Sequence, residues 1–164
     1  TPHDFVEILT AQDVSLIKIL TVEDILTPGY PTIHPQQTIR ELTDLFYTQR
    51  LTYAPVVDDH AHLVGEISLA DVLKAGFPDY ATQMGDLKFL RTFEPLERLV
   101  EHEEKLLVQE MMKPVSFGCS LSASVVEVTF EFLQKGRRHC PVLQGRQLVG
   151  VLSIMDILSK VIRG

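Results

Sequence analysis

The chain has 164 residues, of which 45% are hydrophobic and 23% charged, and its formal net charge is −7. This length suffices to bury a hydrophobic core, and the composition is typical of a soluble globular protein. The negative charge argues against a surface that binds nucleic acid or an anionic membrane. No apolar run approaches the roughly 20 residues that span a bilayer. Two cysteines without CxxC spacing favour a reduced, cytoplasmic compartment over a disulfide scaffold.

Two segments lie outside the repeated part of the chain, at residues 1–19 and 77–105. The second is too apolar for a flexible linker, because Leu96, Leu99 and Val100 form a helical stripe. The first has a similar character. We therefore predict that both segments pack as helices against the rest of the protein.

An internal repeat organises the remainder. Pro55 and Pro141 are 86 residues apart, and Gly65 and Gly150 are 85 apart. The matching upstream segments are VEDILTP (22–28) with VQEMMKP (108–114), and TIRELTDLFYTQ (38–49) with SVVEVTFEFLQK (124–135). A period this long, repeated once, indicates a tandem duplication rather than a solenoid. The predicted division is an N-terminal segment (1–19), a first motif (20–76), an inter-motif segment (77–105) and a second motif (106–164).

Each half predicts the element order β-α-β-β-α. Short strands are predicted near residues 31–34 and 117–120. In the first half Thr38 is the predicted N-cap of a helix whose buried face carries Ile39, Leu42 and Phe46. Two strands then follow, joined by the turn DDHA in the first half and QGR in the second, and a helix closes each half. Neither half can bury its sheet alone, so the fold class is α+β with the two motifs packed as one module.

The pattern G-x-x-S-x-x-D occurs once in each half, where a predicted strand meets a predicted helix. It places Ser68 three residues before Asp71, and Ser153 three residues before Asp156. The same spacing before an apolar run is typical of a helix capping box, in which the serine and the acid satisfy backbone donors. Duplication does not decide between capping and ligand binding, because a copied helix copies its cap.

Residues 20–76 and 106–163 resemble a pair of CBS domains, the motif first recognised in cystathionine β-synthase. The matching features are the VEDILTP and VQEMMKP openings, the YAPVVD and HCPVL strands, and the two G-x-x-S-x-x-D endings. The resemblance implies a pseudo-twofold module with two clefts. Such modules commonly bind adenosine-containing ligands, regulate an attached or partner protein, and associate as dimers through their helices. No cofactor is implied beyond an adenosine nucleotide acting as a regulatory ligand.

In such a cleft, a serine at a strand-to-helix junction lies near outward-pointing N–H groups that suit a phosphate. The aspartate offers acceptor oxygens to ribose hydroxyls. The predicted contacts are Ser68, Asp71, Thr32, Arg50, Tyr53 and Pro55 in the first cleft, and Ser153, Asp156, Arg137, Arg138, His139 and Pro141 in the second. The second cleft has more basic residues, although each could equally be a solvated strand edge. Gly118 replaces Thr32 there, which removes one hydroxyl contact.

Other side-chain combinations are less persuasive. His60 and His62 lie in the predicted hairpin turn with no third histidine or cysteine nearby in sequence, so no metal is predicted. Cys119 and Cys140 are expected on neighbouring strands as buried thiols. Ser153, Asp156 and His139 do not suggest a hydrolytic triad, because no G-x-S-x-G elbow is present. An enzyme is therefore not predicted.

The sequence thus predicts a non-catalytic sensor of AMP, ADP, ATP or S-adenosylmethionine that controls an unknown partner. The alternative is a structural dimerisation module whose clefts are empty. In the helix 124–135, one apolar stripe (Val125, Val128, Phe132) can cover its own sheet while another (Val126, Phe130, Leu133) remains for a second copy. A homodimer through these helices is predicted. The segments at 1–19 and 77–105 are an alternative cover for the same surface.

Overall fold

The computed structural model describes residues 20–74 and 104–163. The predicted N-terminal helix, almost all of the inter-motif segment, and Gly76 lie outside these residues. Within them, no helix is long and apolar enough to cross a membrane. The elements are α1 (Val22–Ile25), α2 (Ile39–Gln49), β1 (Tyr53–Val57), β2 (Leu63–Ser68), α3 (Leu69–Lys74), α4 (Val108–Met111), β3 (Cys119–Ser120), α5 (Val125–Lys135), β4 (His139–Gln144), β5 (Gln147–Ser153) and α6 (Ile154–Arg163). The α+β class is confirmed.

The described residues form two compact units. The first-motif unit comprises residues 31–74 and 104–116, and the second-motif unit comprises residues 20–30 and 117–163. Each unit therefore contains the opening helix of the other repeat. The boundaries predicted from the repeat, 20–76 and 106–164, describe the two copies in the sequence and stay a prediction.

Backbone hydrogen bonds hold each opening segment in its unit. The N–H of Val22, in α1, donates to the carbonyl of Ala123 at 3.0 Å. The N–H of Val108, in α4, donates to the carbonyl of Gln37 at 2.8 Å. Each opening segment therefore lies beside the start of the long helix of its unit, α5 or α2.

In the first-motif unit, α2 packs on the antiparallel β1–β2 hairpin. Thr38 is its N-cap, and the hydroxyl oxygen accepts the N–H of Glu41 at 3.1 Å, as predicted. The predicted short strand at 31–34 is reduced to one parallel bridge between Ile33 and Val56. The buried core consists of Ile33, Ile39, Leu42, Phe46, Ala54, Val56, Ile67, Val72 and Val108.

In the second-motif unit, the sheet order is β3-β4-β5, with β3 parallel to β4 and β4 antiparallel to β5. Ser124 caps α5, and Gly136 ends it with a φ of 62°, a conformation that glycine adopts without strain. The core joins α1, α5 and α6 to the sheet through Val22, Ile25, Phe117, Val125, Val128, Phe132, Cys140, Val142, Leu152 and Ile157.

Gly65 and Gly150 occupy equivalent positions where an opening segment lies close to a strand. A Cβ on Gly65 would lie 2.8 Å from Met112 Sδ and 3.2 Å from the Lys113 carbonyl oxygen. A Cβ on Gly150 would lie 2.9 Å from Leu26 Cδ2. A side chain at either position would force the neighbouring side chain to shift, and at Gly65 it would also crowd the backbone carbonyl of Lys113.

We expect Gly65→Ala to lower the free energy of unfolding by about 1–3 kcal/mol, because the added methyl overpacks the contact with Met112 and Lys113. Gly118→Ala is the control, since its Cβ would make ordinary contacts at 3.5 Å with the Pro141 carbonyl and 3.6 Å with Leu143. Urea unfolding of both variants measures the difference. Equal stabilities would contradict the close approach at Gly65.

Candidate functional site

The second G-x-x-S-x-x-D motif forms the junction between β5 and α6. The Ser153 N–H donates to Asp156 Oδ2 at 2.8 Å, and the Asp156 N–H donates to Ser153 Oγ at 3.1 Å. These reciprocal bonds are those of a capping box. Since a carboxylate can accept several hydrogen bonds, capping leaves acceptor capacity on Asp156.

The first motif repeats this arrangement at the junction between β2 and α3, with one difference. Asp71 Oδ2 accepts both the N–H of Ser68 at 2.8 Å and its hydroxyl at 2.9 Å. The Asp71 N–H lies 3.4 Å from Ser68 Oγ. Within the described residues the Ser153 hydroxyl donates no corresponding bond. The Ser68 hydroxyl hydrogen is therefore used within its motif, which is the one difference between the two junctions.

The two aspartates also have different partners from the opening segments. Thr27 Oγ1 donates to Asp156 Oδ1 at 3.0 Å in the second-motif unit. Lys113 Nζ lies 3.4 Å from Asp71 Oδ2 in the first-motif unit. Thr27 and Lys113 are equivalent residues of VEDILTP and VQEMMKP. The sequence analysis did not assign them a role, although their different chemistry at one repeat position was visible.

A cleft of about 300 Å³ adjoins Asp156 in the second-motif unit. This volume lies at the lower end of the range for small-molecule sites. Lys160, one helical turn beyond Asp156, also lines this cleft and brings a cation to it, and it too was missed from sequence. The lining residues are Asp24, Ile25, Leu26, Thr27, Asp156, Ser159 and Lys160.

Two aromatic rings lie near this carboxylate. His139 pairs with Ser153 across β4 and β5, so both side chains project from the same face of the sheet. The Tyr30 ring meets the His139 ring edge-on, with centroids 6.0 Å apart. Burial and the negative charge of Asp156 raise the pKa of Tyr30 to about 12. Tyr30 therefore keeps its hydroxyl proton at neutral pH, and it is a further residue that the sequence analysis missed.

The remaining predicted residues of the second cleft lie on the same strand or just before it. Pro141 is buried on β4, two residues beyond His139. Arg137 is half-buried and Arg138 is exposed. The Arg138 carbonyl accepts the N–H of Ile154 at 3.1 Å, which fixes this backbone at the start of α6.

The first-motif unit places its predicted residues differently. Tyr53 is 5% exposed, and its hydroxyl donates to Glu66 Oε1 at 2.9 Å. Glu66 is fully buried and is the strand partner of the buried Pro55. The equivalent residue in the second motif is Val151. A buried acid thus lies within the first motif only, and a charged residue inside an apolar strand was the signal for it.

Thr32 and Arg50 are both exposed. Arg50 ends α2 with a φ of 55°, which is the conformation that Gly136 adopts at the equivalent position of the second motif. Thr32 immediately precedes Ile33, so the bridge between Ile33 and Val56 holds the Thr32 backbone beside β1.

The histidine-containing turn at residues 58–62 is closed by its own aspartate. Asp58 Oδ1 accepts the N–H groups of His62 at 3.0 Å and His60 at 2.8 Å. These bonds, with that from His62 contributing most, hold the pKa of Asp58 below its ordinary value. Among residues 20–74 and 104–163, no group of three His, Cys, Asp or Glu side chains could hold a metal ion.

Comparison with known proteins agrees with this architecture. The sequence model described as CBS domain matches residues 22–77 and 108–163, more than half of the chain. The chain therefore belongs to the CBS domain family, and it carries two copies of the domain. Among curated proteins it is similar to the Arabidopsis thaliana CBS domain-containing protein CBSX2, chloroplastic, with 24% identity over 148 residues. That match covers 81% of this chain, which spans 60% of the length of the relative.

Solved CBS structures share the fold. The CBS domain of a CBS domain-containing membrane protein from Sphaerobacter thermophilus has a TM-score of 0.70 at 25% identity, over 90% of this chain and 91% of that one. CBSX2 in complex with AMP has a TM-score of 0.65 at 22% identity, over 87% and 96%. The CBS domain pair of MJ0100, in complex with 5′-methylthioadenosine and S-adenosyl-L-methionine, has a TM-score of 0.61 at 21% identity, over 85% and 93%.

The capping bonds make a prediction about stability that is independent of any ligand. Asp156→Ala and Asp71→Ala should each lower the free energy of unfolding by about 0.5–2 kcal/mol, because each leaves backbone donors at a helix start unsatisfied. Asp156→Asn is the matched control, since it retains an acceptor oxygen for the Ser153 N–H. Denaturant unfolding measures all three. An Asp156→Ala variant as stable as the parent protein would be inconsistent with the cap.

Proposed function

We propose that this chain is a non-catalytic regulatory module that binds an adenosine-containing ligand in its second-motif cleft. The observation that carries the proposal is the Asp156 carboxylate, which is capped on one side and faces an open cleft on the other. Membership of the CBS family supports it, as do the relatives whose solved structures contain AMP or S-adenosylmethionine. We propose no required cofactor.

In this proposal Asp156 accepts hydrogen bonds from the ribose hydroxyls. Its Oδ1 is bound by Thr27 in the structure, so the ribose either shares that oxygen or displaces the threonine hydroxyl. The Ser153 hydroxyl and the start of α6 suit a phosphate. Lys160, Arg137 and Arg138 supply positive charge in a protein whose net charge is −7.

We place the purine against two aromatic rings that are not among the residues lining the cleft. Tyr30 and His139 present an edge-to-face pair beside the carboxylate. Pro141, buried two residues beyond His139 on the same strand, stays a predicted contact. A planar base makes apolar and ring contacts with such a surface. An uncharged Tyr30 ring is compatible with these contacts.

The first-motif cleft is the weaker of the two in our proposal. Its predicted contacts are Ser68, Asp71, Thr32, Arg50, Tyr53 and Pro55. Asp71 is already bound by the Ser68 hydroxyl and faces Lys113, and Tyr53 is bound to Glu66. Tyr53 and Glu66 are both buried, so their polar groups are not exposed to a ligand. Any ligand there must compete with these internal contacts.

Regulation would proceed by a shift in population. A ligand that binds one arrangement of the helices more tightly than another favours that arrangement, and an attached or partner protein senses it. A cytoplasmic location stays a prediction from the free cysteines, and the relative CBSX2 is described as chloroplastic. We assign no enzymatic activity, because family membership points to regulation.

The direct test is calorimetric titration with AMP, ADP, ATP and S-adenosylmethionine, accompanied by melting curves. A ligand at about 100 times its dissociation constant should stabilise the fold by roughly 2.7 kcal/mol. For a chain of this size, the melting temperature then rises by roughly 5–10 °C. If none of the four ligands at millimolar concentration changes the melting temperature, the structural dimerisation module with empty clefts is the better description.

Two variants test the ranking of the clefts. Asp156→Ala should weaken binding about ten- to hundredfold, because charge-assisted hydrogen bonds contribute roughly 1.5–3 kcal/mol. Asp71→Ala removes a similar helix cap, but it should weaken ligand binding less than Asp156→Ala does. A larger effect of Asp71→Ala would reverse the ranking but leave the sensor proposal intact.

We also propose a homodimer through the helices. On α5, Val126, Phe130 and Leu133 are 49%, 63% and 76% exposed, and they recur on one helical face. Val126 and Phe130 line a groove of about 580 Å³ on this helix, together with Glu127, Glu131, Gln134 and Lys135. Further apolar side chains on α6 are exposed, namely Met155, Leu158 and Ile162. An apolar surface of this kind is typical of a protein interface.

Light scattering at tens of micromolar should therefore show a dimer. Phe130→Glu should convert it to a monomer, because the charge would be buried at the interface without a partner. Val64→Glu is the control, since it adds the same charge at an exposed apolar strand position. A monomeric parent protein, or a Phe130→Glu variant that stays dimeric, would contradict this interface.

A further inference from the structure

Two thiols are in direct contact in the second-motif unit. Cys119 lies on β3 and Cys140 on the neighbouring strand β4, and their sulfur atoms are 3.2 Å apart. They are the two cysteines of the chain, and both are free. The sequence predicted two buried thiols on neighbouring strands, and it did not predict that their sulfur atoms are in contact.

The surroundings of the two sulfurs differ. Cys140 is fully buried in the core of the unit, whereas Cys119 is half-buried at its edge. A reagent in solution can therefore reach Cys119 first. A group attached to Cys119 is in turn within reach of Cys140, although Cys140 itself has no solvent access.

We propose that Cys119 and Cys140 form a reversible dithiol–disulfide site that responds to low-molecular-weight disulfides such as glutathione disulfide. The site requires no nucleotide, so it stands independently of the proposed sensor function. Its product is an intramolecular disulfide that joins β3 to β4 within one unit.

The reaction balances as two exchanges. The Cys119 thiolate attacks one sulfur of the external disulfide, forms a mixed disulfide, and expels one thiolate that takes up the proton lost by Cys119. The Cys140 sulfur, after losing its proton to solvent or to the leaving thiolate, then attacks Cys119 and expels the second thiol. In total, the protein loses two hydrogen atoms, and one external disulfide is reduced to two thiols.

The hydrogen bonding favours Cys119 as the first nucleophile. The Cys140 thiol donates towards Cys119 Sγ, and this bond lowers the pKa of Cys119 below its ordinary value. The same bond, together with burial, raises the pKa of Cys140. Since the thiolate is the reactive species, attack begins at Cys119. Glu131 opposes ionisation of both thiols, while Arg137 favours that of Cys140.

Closure requires the β3 backbone to shift, because Cys119 is the strand partner of Val142, two residues beyond Cys140 on β4, and a disulfide holds its two Cα atoms about 4.4–6.8 Å apart. A disulfide bond is about 2.05 Å long, so the sulfurs must approach by about 1.2 Å from their separation of 3.2 Å. The strand β3 comprises only Cys119 and Ser120 and lies at the edge of its sheet, where it pairs with β4 alone. An edge strand held by so few ladder bonds can move without disturbing β4 or β5.

The experiment uses the full chain, first reduced and then incubated with glutathione disulfide under native conditions. We expect both thiols to disappear together, with a mass loss of two hydrogen atoms and no glutathione adduct. Dithiothreitol should restore both thiols. The oxidised protein should also melt at a higher temperature, because the crosslink restricts the unfolded chain.

Single variants identify the order of reaction. Cys140→Ala should accumulate a glutathione adduct on Cys119, and Cys119→Ser should leave Cys140 unmodified while the protein is folded. Melting curves of both variants verify that they are folded before oxidation. Two outcomes would overturn the proposal. One is a stable glutathione adduct on Cys119 of the parent protein. The other is a folded parent protein that keeps both thiols under conditions that oxidise a urea-unfolded sample.

Discussion

The approach of an opening segment to a strand glycine is the contact on which the rest of each unit depends. At Gly150 the strand lies against Leu26, and at Gly65 against Met112 and the Lys113 backbone. Because no side chain intervenes, the segment lies close enough for its next residues to reach the strand-to-helix junction. That placement brings Thr27 to Asp156 and Lys113 to Asp71. The packing constraint therefore decides which groups surround each candidate carboxylate.

Capping and ligand binding are compatible uses of one carboxylate. The reciprocal bonds between Ser153 and Asp156 orient the side chain and fix the start of α6. A carboxylate held in one orientation loses less entropy on binding than a freely rotating one. The remaining acceptor capacity faces the cleft, where Thr27 occupies part of it. The cap thus fixes the orientation of a carboxylate that also lines the cleft.

The two halves of the duplication have diverged in charge more than in backbone. Both retain the long capped helix, the antiparallel strand pair and the serine–aspartate junction. At equivalent positions of the two repeats, Thr27 corresponds to Lys113, and Val151 corresponds to Glu66. A lysine therefore accompanies Asp71 and a threonine accompanies Asp156, and the buried acid Glu66 corresponds to an apolar residue in the second motif.

The sequence by itself determined the duplication, the order of the long helices and strand pairs, and the capping positions, whereas the short strand predicted at residues 31–34 is a single bridge. These depend on local spacing, as with Thr38 before Ile39, Leu42 and Phe46, so a single chain segment carries the whole signal. Only the tertiary structure decided that each unit is completed by the opening of the other repeat, because hydrogen bonds such as that from Val22 to Ala123 join residues distant in sequence. The same applies to Thr27 and Tyr30 beside Asp156, and to the contact of Cys119 with Cys140. No local pattern specifies which distant side chains packing will bring together.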